Sequence, residues 1–83
     1  MTSGLTLDLL APQRRAQIVA IDWGVLAPDE AKRLRAMGID EGAQVAIAHR
    51  GIFLGSDPIA IEIGRMTVAL RRSHARAMTV TEL

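Results

Sequence analysis

The segment Ile59-Ala60-Ile61-Glu62-Ile63-Gly64-Arg65-Met66-Thr67-Val68-Ala69-Leu70 alternates large apolar residues with small or polar ones on both sides of Gly64-Arg65. A period of two places Ile59, Ile61 and Ile63 on one face of a strand and Ala60 and Glu62 on the other. Gly64-Arg65 is a turn candidate, and beyond it Met66, Val68 and Leu70 again share a face. The segment therefore reads as two half-buried strands, and the rest of the chain adds further strands to either side.

Upstream, residues 43–50 alternate with Val45 and Ile47 on one face and Ala46 and Ala48 on the other. Residues 16–22 are rich in β-branched side chains and suit a strand ended by Trp23-Gly24. Ile18 and Ala20 would face one side and Val19 and Ile21 the other, so both faces are expected to be partly covered. Residues 5–10 alternate until Ala11-Pro12, where a residue without an N–H stops the pattern, and they read as a short arm or turn. Downstream, residues 71–77 suit one or two helical turns, and Met78 to Thr81 forms a last short strand.

Residues 28–37 are the one long helix. Pro28 suits the first helical position, and Asp29 and Glu30 place negative charge at the positive end of the helix dipole. Ala31, Leu34 and Met37 recur at three-residue spacing and form the buried stripe. Lys32, Arg33 and Arg35 take the other sides, and Asp29 can pair with Arg33 at i,i+4. Gly38 supplies a left-handed cap that Ile39 closes with an apolar contact. Five short strands around one such helix predict a mainly β fold with one or two short helices, closed into a small β-barrel. Parallel βαβ layers are excluded, since only one helix is long enough for a crossover.

The chain has 83 residues, which predicts a single domain with its core over residues 7–81. Ten Lys and Arg against nine Asp and Glu leave a net charge of +1, which argues against nucleic acid, whose affinity rests on many neutralised phosphates. Hydrophobic residues make up 49% and charged residues 23%, a globular rather than disordered balance. Trp23 and Phe53 are the only aromatic residues, too few for a stacking platform. Zero cysteines exclude disulfides, thiolate metal sites and cysteine nucleophiles. No stretch approaches the ~20 apolar residues of a membrane span, and the first ten residues lack a basic start and a cleavage site. A cytoplasmic protein without direct membrane insertion is expected.

No catalytic constellation survives inspection, and a non-enzyme is expected. The seven glycines lie too far apart for a phosphate loop. Ser73 and His74 are neighbours that point apart on a helical turn, so they form no nucleophile–base pair. His49 and His74 are weak candidates for a metal, because neither belongs to a ligand-spaced pair; no cofactor is expected. The segment Arg71-Arg72 with Arg76 reads as a solvated turn before it reads as an anion site. Gly51-Ile52-Phe53-Leu54-Gly55-Ser56-Asp57-Pro58 is a hairpin loop whose three successive apolar residues cannot all point into one core. Either this loop folds back over the barrel, or it presents an apolar knob to a partner. Trp23 and Leu26 add large apolar residues on another connection. The candidate partner surface is therefore Trp23, Leu26, Ile52, Phe53 and Leu54, with Lys32, Arg33 and Arg35 as a polar rim.

The ordered set Leu34-Arg35-Ala36-Met37-Gly38-Ile39 with Gly42, then Gly55, Asp57-Pro58 and alternating residues to Gly64, then Leu70-Arg71 and a final strand, resembles the FeoA family. The likeness runs from about Leu7 to Val80. It implies an SH3-like β-barrel and a small cytosolic protein that supports or regulates FeoB, the membrane GTPase that moves ferrous iron into bacteria, from the inner face of the membrane. A related domain lies at the C-terminus of DtxR-like metal-dependent repressors, fused there to DNA-binding and dimerisation regions. The family often has Pro-Gly before the first strand, where this chain has Pro12-Gln13, which bears on the geometry of that turn. The competing readings are a nucleic-acid-binding barrel and a metal-responsive regulatory domain. Open sheet edges also allow a homo-oligomer.

Overall fold

In the computed structural model, residues 5–49 and 57–83 are described. The strands are β1 (Leu5–Thr6), β2 (Arg15–Ile21), β3 (Gln44–His49), β4 (Ile59–Ile63), β5 (Met66–Leu70) and β6 (Met78–Glu82). The helices are α1 (Pro28–Ala36) and α2 (Arg72–Ala75), and 3-10 turns cover Leu7–Leu9 and Trp23–Val25. All six strands join one antiparallel sheet in the order β1-β6-β2-β3-β4-β5, curled around a single core.

The hairpin of β4 and β5 forms as its alternation requires, pairing Ile63 with Met66 and Ile59 with Leu70. Ile59, Ile61, Val68 and Leu70 are buried, whereas Met66 at the turn is 47% exposed. The sixth strand is the residue pair Leu5–Thr6, which docks on β6 through Leu5 against Val80 and Thr6 against Thr79. Two residues carry no period of their own, so the arm's pairing is visible only once β6 has returned to meet it. The next turn then drives Leu7 and Leu10 into the core.

In β2 the expectation of two covered faces fails. A register shift between Ile18 and Ala20 makes Val19 an extra residue against β6. The bulge turns Ile21 to the same side as Ala16 and Ile18, so all three are buried while Val19 is 49% exposed. At the same place the Ile18 N–H donates to Ala43 and its carbonyl accepts from Gly42, tying the bulge to the turn before β3.

Helix α1 packs through Leu34, with Ala31 and Met37 partly buried beside it. It ends in a Schellman arrangement: the Gly38 N–H donates to Arg35 and the Ile39 N–H to Leu34, both at 3.0 Å. Gly38 has a φ of 94°, and Ile39 drops into the core as the apolar closure. The expected Asp29–Arg33 pair does not form. Arg33 instead grips Glu30 with two nitrogens, at 3.2 and 2.5 Å, because the i,i+3 spacing brings both carboxylate oxygens within its fork.

Two turns are held by long-range bonds. Residues 11–14 form a turn closed by the Arg14 N–H on the Ala11 carbonyl at 3.3 Å. Pro12 takes its second position and Gln13 its third with a φ of 67°, the left-handed conformation a type II turn asks of a glycine. The Pro-Gly geometry is thus kept with a glutamine in the glycine's place. The Gln13 N–H donates to Ile47 at 3.0 Å, so this turn is pinned to β3. At α2, the residue preceding the helix provides no side-chain cap, and the Asp57 carboxylate accepts the first helical N–H, that of Arg72, at 2.6 Å.

Candidate functional site

The turn Trp23–Val25 connects β2 to α1 and is started by Asp22, whose carboxylate accepts the Gly24 N–H at 3.2 Å. This local cap sets Trp23 half-buried against the core, Val25 63% exposed, and Leu26 only 6% exposed. The indole N–H of Trp23 donates to Glu41 at 3.0 Å, and the guanidinium of Arg35 lies 4.1 Å from the ring centroid. A cation over the ring face and a carboxylate on the ring N–H use the two polar handles of a tryptophan at once and fix its orientation. Three segments far apart in sequence therefore converge on one ring.

Lys32 and Arg35 extend the same face along α1, lining a shallow depression of ≈ 370 Å³ with Pro28, Asp29 and Ala31. Asp40 lies below the ordinary carboxylate range, first through its interaction with the neighbouring Glu41 side chain, then by accepting the Glu41 N–H at 2.8 Å, with help from the charge of Arg35. The face is thus an anchored aromatic with an exposed valine beside it, bordered by fixed charges of both signs. Such a surface suits recognition of another protein.

On the adjoining flank of α1, Arg33 is committed to Glu30. That contact is the first cause of Glu30 lying below its usual pKa; burial opposes it, and the charges of Arg33, then His74 and Arg71, add to the lowering. In return Glu30 raises Arg33 further. His74 on α2 places Nδ1 3.4 Å from the same carboxylate, linking the two helices.

The eight residues expected at a partner surface are therefore separated. Trp23, Lys32 and Arg35 come together. Arg33 sits on the neighbouring flank. Leu26 is corrected to a core residue, because the capped turn directs it inward and leaves Val25 outside. Ile52, Phe53 and Leu54 lie outside the described residues, and with them the alternative between capping loop and apolar knob. His49 ends β3, and His74 meets Glu30 rather than a second imidazole. Among the described residues no three His, Cys, Asp or Glu side chains are grouped to hold a metal, and no helix is long and apolar enough to cross a membrane.

Val25 and Glu41 belong to the face without having been expected there. Asp22 ahead of the turn was the available signal for Val25, whereas Glu41 is placed by the fold alone. A third residue outside the expectations is Asp8, 4% exposed, which accepts from the Thr6 hydroxyl and faces Arg76 at 3.6 Å.

Comparison with known proteins places the chain, though none of these site features, in a family. The profile of the FeoA domain matches residues 5–82, and no curated protein matches the sequence. Among solved structures, iron(II) transport protein A from Clostridium thermocellum superposes with a TM-score of 0.81 at 24% identity, over 95% of this chain and 46% of that one. FeoA from Stenotrophomonas maltophilia, solved with zinc and described as a prokaryotic SH3 domain protein and a candidate ferrous iron transport activating factor, superposes at 0.73 with 28% identity, over 93% of this chain and 89% of that one. The fold also recurs in T. acidophilum IdeR, at 18% identity and a TM-score of 0.78, over 100% of this chain and 36% of that one.

Proposed function

This chain belongs to the FeoA domain family, and from that premise we propose that it is a small accessory protein of bacterial ferrous iron uptake that binds and supports or regulates the membrane GTPase FeoB from the cytoplasmic side. The family match over residues 5–82 carries the reading. The Trp23 face supplies a surface of the right kind, with Trp23 as anchor, Val25 beside it, and Lys32 and Arg35 at the border. Interface energy concentrates in such tryptophan and arginine side chains, where truncation costs about 2 kcal/mol or more, about 30-fold in Kd.

The test is retention of FeoB, solubilised from the same organism's membranes, on the immobilised full chain, with a GTP analogue and with GDP. Retention in at least one nucleotide state supports the reading, and none in either overturns it. Trp23→Ala and Arg35→Glu address the face. Weaker retention by folded variants supports the placement, whereas retention equal to the unaltered chain moves the interface elsewhere.

A further inference from the structure

Strand β5 is the outer strand of the sheet, paired on one side with β4 and with no described strand on the other. The hairpin turn has a positive φ at Gly64 (60°) and none at Arg65, the pattern of a two-residue type II′ turn. In that geometry Ile63 and Met66 exchange hydrogen bonds, and the parity then alternates along the strand. Thr67 and Ala69 consequently aim their N–H and carbonyl groups away from β4. Both residues are exposed, and neither makes a backbone hydrogen bond beyond the ladder among the described residues.

Natural sheet edges are usually blunted by a charge or a proline within the strand. Met66-Thr67-Val68-Ala69-Leu70 contains neither. Charge appears only at its two ends, as the exposed Arg65 and Arg71. Neither forms an ion pair within 4 Å among the described residues. The carboxylates nearby are otherwise engaged or set back. Glu30 is held by Arg33, Asp57 binds the Arg72 N–H, and Glu62 stands one strand inward, opposite Thr67.

This arrangement discriminates between occupants of the edge. A second copy pairing antiparallel over the whole strand sets Val68 against Val68, and three residues to either side it brings Arg65 opposite Arg71 twice. Like charges directly opposite destabilise a sheet pair. An extended segment with an uncharged, β-prone centre and acidic residues at both ends meets the same backbone groups and places a carboxylate at each arginine. We infer that β5 is a strand-addition site for an acidic-ended extended segment of a partner protein, and that Arg65 and Arg71 select that segment while barring self-pairing. The inference uses residues other than the Trp23 face and does not rest on the reading above.

Two synthetic peptides with a common Thr/Val centre, one ended by Asp and Glu and the other by Lys, are titrated into the isotope-labelled full chain at low salt. The acidic-ended peptide is expected to bind at least tenfold more tightly and to slow amide hydrogen exchange at Thr67 and Ala69. Thr67→Pro removes an outward donor at an edge position where proline is tolerated, and should abolish that binding. Arg65→Glu combined with Arg71→Glu leaves the strand backbone unaltered and should reverse the preference, which keeps the test decisive even if Thr67→Pro unfolds. Equal affinity for the two peptides, protection confined to other strands, or a dimer of the unaltered chain that disappears in Thr67→Pro would each overturn the inference.

Discussion

Replacing Gln13 with glycine should stabilise this protein, the reverse of what glycine does at most positions. Gln13 holds a φ of 67° in the turn before β2. An L-residue in that region suffers a clash of its Cβ with the backbone of roughly 1–2 kcal/mol. Glycine has no Cβ and loses the whole penalty, but its unfolded chain is freer by about 0.5–1 kcal/mol. The difference favours Gln13→Gly by about 0.5–1 kcal/mol. The exposed Gln13 side chain makes no hydrogen bond among the described residues, and the substitution keeps the backbone N–H that donates to Ile47. For a domain of this size 1 kcal/mol corresponds to about 4–8 °C, so the melting temperature should rise by about 2–8 °C. Calorimetry and urea unfolding measure it, with Gln13→Ala as a control that keeps the Cβ and should change little. A fall in melting temperature for Gln13→Gly, or a rise of the same size for Gln13→Ala, would refute the argument.

Three further substitutions separate the roles assigned above. Asp57→Ala deprives α2 of the side-chain cap on the Arg72 N–H and should cost about 1 kcal/mol in urea unfolding, the usual loss of a helix cap. Leu26→Ala should cost about 2–5 kcal/mol, because the side chain lies in the core; a loss of partner binding with unchanged stability would restore it to the surface. Glu30 has a folded pKa below its ordinary value, so its contribution is present above that value and fades as the pH falls through the lower folded one. Glu30→Gln should therefore flatten the acid limb of the melting temperature against pH, and an unchanged limb would show that the Arg33 contact contributes nothing to stability.

Much of the architecture was legible because it is written in local patterns. The period of two in Ile59–Ile63 and in Val45 and Ile47 reports which side of a strand is buried, and the burial follows it. Pro28, the acidic first turn and Gly38 bracket α1 to within a residue, since each acts through its own backbone conformation or the groups next to it. The Trp23 face was legible only in part. Trp23, Lys32 and Arg35 were named by residue type and the fold brings them together, but nothing in type or spacing distinguishes the exposed Val25 from the buried Leu26 beside it. A one-residue error of this kind follows from a 3-10 turn, whose three-residue period differs from both the strand's and the helix's.

Residue order alone therefore settled five of the six described strands, the long helix, its caps and the likeness to a family, because these depend on neighbours within a few positions. The tertiary structure decided the docking of Leu5–Thr6 on β6, the bulge at Val19, the capping of α2 by Asp57, and the meeting of Trp23 with Arg35 and Glu41. Each of these joins groups 12 or more residues apart or depends on a partner strand. A side chain's period states only which face of its own element it occupies. What lies opposite that face is set by how the sheet curls and closes, which no single element carries in its own sequence.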